Sequence, residues 1–278
     1  MLDLSIVIVN YNARGLLRQC LKSIQGNLRN SRLLHKIVVI DNNSKDSSVD
    51  MVREAFPTVR LIPLENNLGY ARAVNIGIKS IECRYYLVLN MDTTIVQDNA
   101  FDRIVNFMDK HPDVGLAGPK LINPNGSTQV STCTFPKFLY PLYRRTILRK
   151  LPGAKKAIRK YLMLDWYHNE TMPVEWVIGT GMIVRNEGLK QVGLMDERFF
   201  MYFEDVDWCR RFWENNWKVY YIADIEIVHY YSRDSAKSMG MVSVLNKQTR
   251  VHITSWLKYV IKYIGRERPN VNTKKEKQ

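Results

Sequence analysis

The stretch 85–96, YYLVLNMDTTIV, decides how the rest of the chain is read: five apolar or aromatic residues in a row end abruptly at Asn90, Met91 and Asp92. A continuous run of this kind is what a strand buried on both faces looks like. Working outward, the first half of the chain repeats the pattern. LSIVIV is followed by helical periodicity over 13–25, KIVVI by 46–55, VRLIPL by 70–80, YYLVLN by 98–110, and VGLAG comes next. Strands alternating with helices predict a doubly wound α/β fold, with a mostly parallel Rossmann-like sheet covered on both faces. Ligands of such sheets lie beyond the carboxyl ends of the strands, which is where Asp92 falls.

The other strand ends are polar too. VNYN closes the first, IDNNSKDSS the second and LENNLGYARAVN the third. Asp41 is suited to accept hydrogen bonds from a ribose or a base edge; Asn10, Asn12 and Asn67 offer amides. Gly69 permits close backbone approach, and Arg72 supplies a fixed charge for phosphate. Each cluster taken alone also reads as ordinary loop and cap residues. Their succession along four strand ends points to one nucleotide-binding rim.

At Asp92, a carboxylate near Asn90 suits Mg2+ or Mn2+ held against a diphosphate, because hard cations take oxygen ligands and share them with substrate phosphates. His229, at the end of an apolar strand, is a further metal ligand if the fold brings it to Asp92, and otherwise a structural histidine. FEDVDW, 203–208, sets three carboxylates at the start of an amphipathic helix. Capping of the helix dipole explains them at about 0.3–1 kcal/mol each. The spacing also puts Asp205 on one face with Trp208, Cys209 and Phe212, where an apolar setting raises a carboxylate pKa and suits it to act as a base. Glu204 and Asp207 then point elsewhere, toward an acceptor hydroxyl or the donor. VIGTG, 177–181, reads as a strand with interior glycines, so that Gly179, Thr180 and Trp176 line an acceptor pocket or simply pack.

Among 278 residues, 41 are Lys or Arg and 27 are Asp or Glu, for a net charge of +14. Such a balance favours an anionic partner: nucleotide, membrane surface or nucleic acid. Nucleic acid is the weakest of these, since no recognition motif appears and the basic residues cluster away from the strand-end rim. They cluster in 137–160, which has nine basic residues and no acidic one, interleaved with apolar side chains. Ile253, Trp256, Leu257, Val260, Ile261 and Ile264 form a stripe on the last helix, flanked by Lys258 and Lys262. It suits either a membrane interface or packing on the domain or a second subunit. No run reaches the roughly 18 apolar residues of a membrane span and no basic leader opens the chain, which together predict a cytosolic protein. The four cysteines are widely spaced, as reduced core residues are.

The segments SIVIVNYNARGLLRQCLKSI, VIDNNSKDSS, NNLGYARAVNIGI, VLNMDT, EWVIGTGMIVR and DERFFMYFEDVDWCRRFWENNWKVYYIADIEIVHY resemble, in order, the inverting family-two glycosyltransferases of the GT-A fold. The likeness is nearest to the bacterial rhamnosyltransferases of O-antigen and other cell-surface polysaccharide synthesis, and spans roughly 3–235. It implies a GT-A domain over 1–240. A nucleotide-sugar-binding half would occupy 1–120, a basic insertion 136–164 and an acceptor and catalytic half 174–235, with a C-terminal helical extension over 241–278.

By the same resemblance Asp41 binds the base or ribose and Arg72 the diphosphate, while Asn90 and Asp92 occupy the D-x-D-type position, with Asn90 replacing its first carboxylate. Asp205 stands at the general base and His229 at a metal ligand. The implied donor is dTDP-L-rhamnose, with a UDP-linked hexose, N-acetylhexosamine or galactofuranose as the alternative. The implied acceptor is a polyprenyl-diphosphate-linked saccharide, met at the inner face of the cell membrane by a peripheral protein that acts alone or as a homodimer. A nucleotide-binding, membrane-docking protein without transfer activity is the reading outside the enzyme class.

Overall fold

The computed structural model describes residues 1–136, 153–230 and 247–271. Most of the basic segment, 137–152, and the tail after 271 lie outside the described residues. The first half folds as the alternation predicts: β1 (Leu2–Asn10), α1 (Arg14–Leu28), β2 (His35–Asp41), α2 (Ser48–Ala55), β3 (Arg60–Pro63), α3 (Tyr70–Lys79), β4 (Cys83–Asn90), α4 (Ala100–Lys110) and β6 (Val114–Ile122), with a short β5 (Thr93–Ile95) between β4 and α4. Beyond it come β7 (Thr132–Cys133), α5 (Ala154–Tyr161), β8 (Met172–Pro173), β9 (Trp176–Val177), β10 (Gly181–Arg185), α6 (Asn186–Val192), α7 (Glu204–Glu214), β11 (Lys218–His229) and α8 (Lys247–Tyr263).

The main sheet runs β3-β2-β1-β4-β10-β6-β11-β5, with β8 on β11, and β7 and β9 pair separately. β3, β2, β1 and β4 are parallel, as are β6 and β11, while β10 is inserted antiparallel between the two sets. Alternate residues of one strand feed two different cores. Val7 and Val9 of β1 pack with α3 and α7, while Leu4, Ile6 and Ile8 pack with α1 and α4. Both faces are therefore dry, which is why the strand sequences read as unbroken apolar runs. Each such side chain contributes about 1.5–3 kcal/mol of transfer free energy. On one face α3 lies so close to the sheet that a Cβ on Gly77 would sit 2.4 Å from Val7 Cγ1.

Parallel register aligns the strand ends into a row. Asn10 pairs across from Asp41, and Val9 across from Asn90. The second half departs from the sequence reading in three places. KVYYI and EIVHYY, which by their apolar runs alone predict two strands, are one 12-residue strand, β11, whose register shifts between Ile222 and Glu226. VIGTG is interrupted: β9 stops at Val177 and β10 starts at Gly181, and the three residues between form a bend toward the site. The apolar stripe of α8 splits. Ile253, Trp256 and Val260 pack on the core beside Tyr259 and Tyr263, whereas Leu257, Ile261 and Ile264, one step around the helix, stay exposed. All four cysteines are buried.

Candidate active site

The four parallel strands end in polar side chains that brace one another. Asp41 is 2% exposed; its Oδ2 accepts from Asn10 Nδ2 at 2.8 Å and its Oδ1 from the Ser44 N–H at 2.8 Å. Asn12, at φ +49°, accepts from the Lys45 N–H at 2.7 Å, tying the loop after β1 to the loop after β2. Asn67 accepts from the Gly69 N–H at 3.0 Å. Gly69 has φ +85°, but the backbone that approaches it is that of Phe200: a Cβ there would sit 2.4 Å from the Phe200 carbonyl oxygen. Asn42, which the sequence reading passed over, clamps this loop from beneath, accepting from the Leu68 N–H and donating to the Gly69 carbonyl.

Asp92 and His229 meet. The antiparallel register sets His229 against Thr93, and the Tyr230 N–H donates to the Asp92 carbonyl at 2.9 Å. This brings His229 Nε2 to 3.4 Å from Asp92 Oδ1. Gln129 donates through Nε2 to Asn123 and to the His229 carbonyl, so its Oε1 is the acceptor for His229 Nδ1 at 2.9 Å. With the proton on Nδ1, the Nε2 lone pair is directed at a carboxylate oxygen buried without a hydrogen-bond partner. An oxygen and an imidazole nitrogen so opposed fit a divalent cation, and the orienting Gln129 is the support that metal-bound imidazoles generally have. Among the described residues no group of three or more His, Cys, Asp or Glu gathers to hold a metal. A cation here would complete its shell from substrate, as Mg2+ does.

Asp205 lies in the first turn of α7, with Trp208, Cys209 and Phe212 of the same helix fully buried behind it. Its Oδ2 accepts from the Gly179 N–H at 2.9 Å and its Oδ1 from the Val206 N–H at 2.8 Å. Burial pushes its carboxyl above the usual aspartate range despite these donors. Glu204 is 5% exposed with Oε2 unpartnered, and burial, together with the adjacent Asp205 charge, pushes its carboxyl far above the ordinary range.

The bend at 178–180 joins the two acidic centres. The Asn90 N–H donates to the Thr180 carbonyl at 3.0 Å, while the adjacent Gly179 holds Asp205. Tyr70 completes the knot by donating its hydroxyl to the Gly179 carbonyl at 2.8 Å. Burial, then the charges of Glu204, Asp205 and Asp92, raise the Tyr70 hydroxyl well above its usual pKa. The sequence reading missed Tyr70; its only signal was an aromatic residue beside Gly69 at the start of α3.

Three readings are corrected. Asp207 does not face an acceptor: it is fully buried and bonded to Arg211 Nε at 2.9 Å, Lys262 Nζ at 2.5 Å and the Tyr263 hydroxyl at 2.8 Å, so it anchors α8 to α7. Trp176 is core, donating its indole N–H to the Thr134 carbonyl, and Thr180 is 2% exposed, so neither lines an open pocket. Arg72 engages Glu197 at 3.5 Å and lines a cleft between the start of α3 and α8.

The family profile for Glycosyl transferase family 2 matches residues 5–163, and that for Glycosyl transferase family group 2 matches 86–259. The N-acetylglucosaminyl-diphospho-decaprenol L-rhamnosyltransferase of Mycobacterium tuberculosis is 27% identical over 84% of this chain and 78% of its own length. The dTDP-rhamnosyl transferase RfbF of Shigella flexneri is 26% identical over 74% of this chain and 63% of its own. Among solved structures, GalNAc-T7 with UDP, GalNAc and Mn2+ superposes with a TM-score of 0.62 at 17% identity, covering 95% of this chain and 57% of that one. S. aureus TarS does so at 0.59 and 17%, covering 84% and 37%. These structural likenesses carry the fold, which is GT-A.

Proposed function

The chain belongs to glycosyl transferase family 2, and on that premise we propose that it is an inverting rhamnosyltransferase, moving L-rhamnose from dTDP-L-rhamnose to a saccharide on a polyprenyl diphosphate in cell-surface polysaccharide synthesis. It is a glycosyltransferase related to rhamnosyltransferases; the donor, the acceptor and the stereochemistry are our reading. The observation that carries it is the desolvated Asp205, pinned by Gly179 in the same bend that holds Asn90 beside the Asp92 and His229 pair.

Asp205 takes the proton from an acceptor hydroxyl as that oxygen bonds to the anomeric carbon. The bond to the donor diphosphate breaks on the opposite face, the electron pair leaves with the diphosphate, and the centre inverts. A carboxylate whose pKa is raised by burial is a stronger base than an ordinary aspartate. Burial and the Asp205 charge push the Glu204 carboxyl well above its ordinary range, which disfavours a second negative charge beside the base. Tyr70 orients the Gly179 carbonyl, and through it the N–H that positions Asp205. Asp92 and His229 would hold Mg2+ or Mn2+, which when bound offsets the charge that develops on the leaving diphosphate. Among the described residues no helix is long and apolar enough to cross a membrane, and a lipid-linked acceptor would be met by peripheral docking at the inner face.

The test is a thermal-shift panel with dTDP, UDP, GDP and CDP, each with and without Mg2+ or Mn2+, followed by turnover and NMR assignment of the product anomer. A nucleotide at about 100 times its Kd adds about 2.7 kcal/mol of stability. Preference for dTDP with a divalent ion and an inverted product is expected. Preference for UDP replaces the donor, and a retained anomeric configuration overturns the mechanism.

A further inference from the structure

Between the start of α3 and α8 a cleft of about 860 Å3 is lined by Arg72, Arg198, Lys258, Lys262 and Arg266, one carboxylate, Glu197, the amide of the rim residue Asn67, and the apolar Leu68, Phe200 and Ile261. Three of the cations are already matched: Arg72 with Glu197, Arg198 with Asp196, and Lys262 with Asp196 and Asp207. Lys258 and Arg266 meet no carboxylate among the described residues. Lys258 Nζ donates to the Arg198 carbonyl at 2.6 Å, and Arg266 lies 5.9 Å over the Tyr263 ring. The cleft is therefore net cationic, with one unneutralised charge on α8 and the other just past its end.

Its walls are held in place. Asn75, on α3, both donates to the Met195 carbonyl and accepts from the Met195 N–H, which fixes the loop carrying Glu197, Arg198 and Phe200. Asp207 anchors the opposite wall, α8. A second hollow of about 310 Å3, lined by Phe200, Arg250, Val251, Thr254, Ser255 and Lys258, shares Phe200 and Lys258 with the first. The two hollows follow α8 from Arg250 to its end at Tyr263, about 20 Å at 1.5 Å per residue, and reach Arg266 just beyond it. Along that path Leu257, Ile261 and Ile264 are 45%, 72% and 73% exposed, and Phe200 41%. An apolar rail beside unneutralised cations matches a ligand with a diphosphate head and a hydrocarbon tail, since guanidinium and ammonium groups take phosphate oxygens while exposed Ile and Phe take an alkyl chain.

We infer that this cleft is the docking site for the diphosphate and first prenyl units of the acceptor's lipid carrier, which rests on the reading of the acceptor given above. Its place follows from the chain: Gly69 and Tyr70 belong to the rim, and Arg72, in the next half-turn of α3, belongs to the cleft.

The test uses the full chain with farnesyl diphosphate, farnesol, inorganic pyrophosphate and dTDP or UDP as binding probes, and acceptor and donor kinetics for a Lys258→Ala/Arg266→Ala double variant and an Ile261→Asp variant. Farnesyl diphosphate is expected to bind without displacing nucleotide. Both variants should weaken it and raise the KM for lipid-linked acceptor about tenfold, with donor KM and the rate of donor hydrolysis unchanged. Equal binding of pyrophosphate and farnesyl diphosphate would reduce the cleft to a plain anion site and overturn the lipid assignment. Competition by nucleotide would return the cleft to the donor. Anionic vesicles that bind equally well with and without a prenyl diphosphate would make it a membrane contact instead. Loss of nucleotide binding and donor hydrolysis in the wild-type protein would sink the glycosyl-transfer reading itself, an outcome separate from all of these.

Discussion

Asp41, at the end of β2, and Asp46, in the loop after it, and Glu204 and Asp205, at the head of α7, are carboxylates placed in opposite electrostatic conditions. The first two are saturated. Asp41 accepts from Asn10 and Ser44; burial raises Asp46, but donors from Ser48 and Arg14 outweigh it and hold its carboxyl below the ordinary range. The second two are dominated by desolvation: Glu204 keeps one oxygen unpartnered, Asp205 meets only two backbone N–H groups, and burial raises both. A fully bonded carboxylate is a brace, because its charge is already matched. A desolvated one holds or seeks a proton, which is the property a general base needs.

The largest break in this comparison comes from removing the base. Asp205→Asn should lower turnover by about 10²- to 10⁴-fold while the protein stays folded, as circular dichroism and donor binding will show; undiminished turnover ends the mechanism. Next is Asp207, a carboxylate of the same helical turn that belongs with the braces. Asp207→Ala strands Arg211 and Lys262 in a buried site and should cost about 3–5 kcal/mol in urea unfolding. A loss of activity without loss of stability would return it to the acceptor site.

Asp41→Ala, which leaves the Asn10 amide and the Ser44 N–H without their acceptor, should cost about 1–3 kcal/mol by the same measurement. The smallest effect is read through pH. The folded-state pKa of Glu204 is raised, so folding binds a proton and stability falls as pH rises above its ordinary value of 4.5. Glu204→Gln removes that dependence: it should match the wild type near pH 4 and exceed it in Tm by a growing margin toward pH 8. Asp46, with its lowered pKa, has the opposite sign, so Asp46→Asn should cost stability at neutral pH and nothing once the pH has fallen below its folded value. In turnover, the acid limb should lie above the ordinary aspartate range, as the Glu204 and Asp205 pair requires.

The first half was legible because each of its elements is decided locally. Runs such as LSIVIV and YYLVLN are apolar at every position since both faces are covered, and helices 70–79 and 100–110 fall within two residues of their periodicity. The second half was harder for identifiable reasons. EIVHYY looked like a new strand because Ala223 and Asp224 interrupt the pattern, yet a bulge absorbs them inside β11. Thr180 and Trp176 looked like pocket residues because interior glycines signal close approach. What approaches is the Asp205 carboxylate.

The sequence by itself determined the alternating α/β order, the row of polar strand ends, and the placing of Asp205 on an apolar helical face, since periodicities of 2 and 3.6 are properties of the chain alone. Only the tertiary structure decided which of these groups meet. That Asp92 faces His229 depends on the pairing of β5 with β11 across 136 positions of chain. That Asp205 meets only backbone N–H groups while Asp207 is paired with cations depends on which groups pack around them: Gly179 on one side of α7, and Lys262 and Tyr263 of α8 on the other. Two residues apart in sequence, they differ because desolvation and pairing are set by the neighbours that folding supplies.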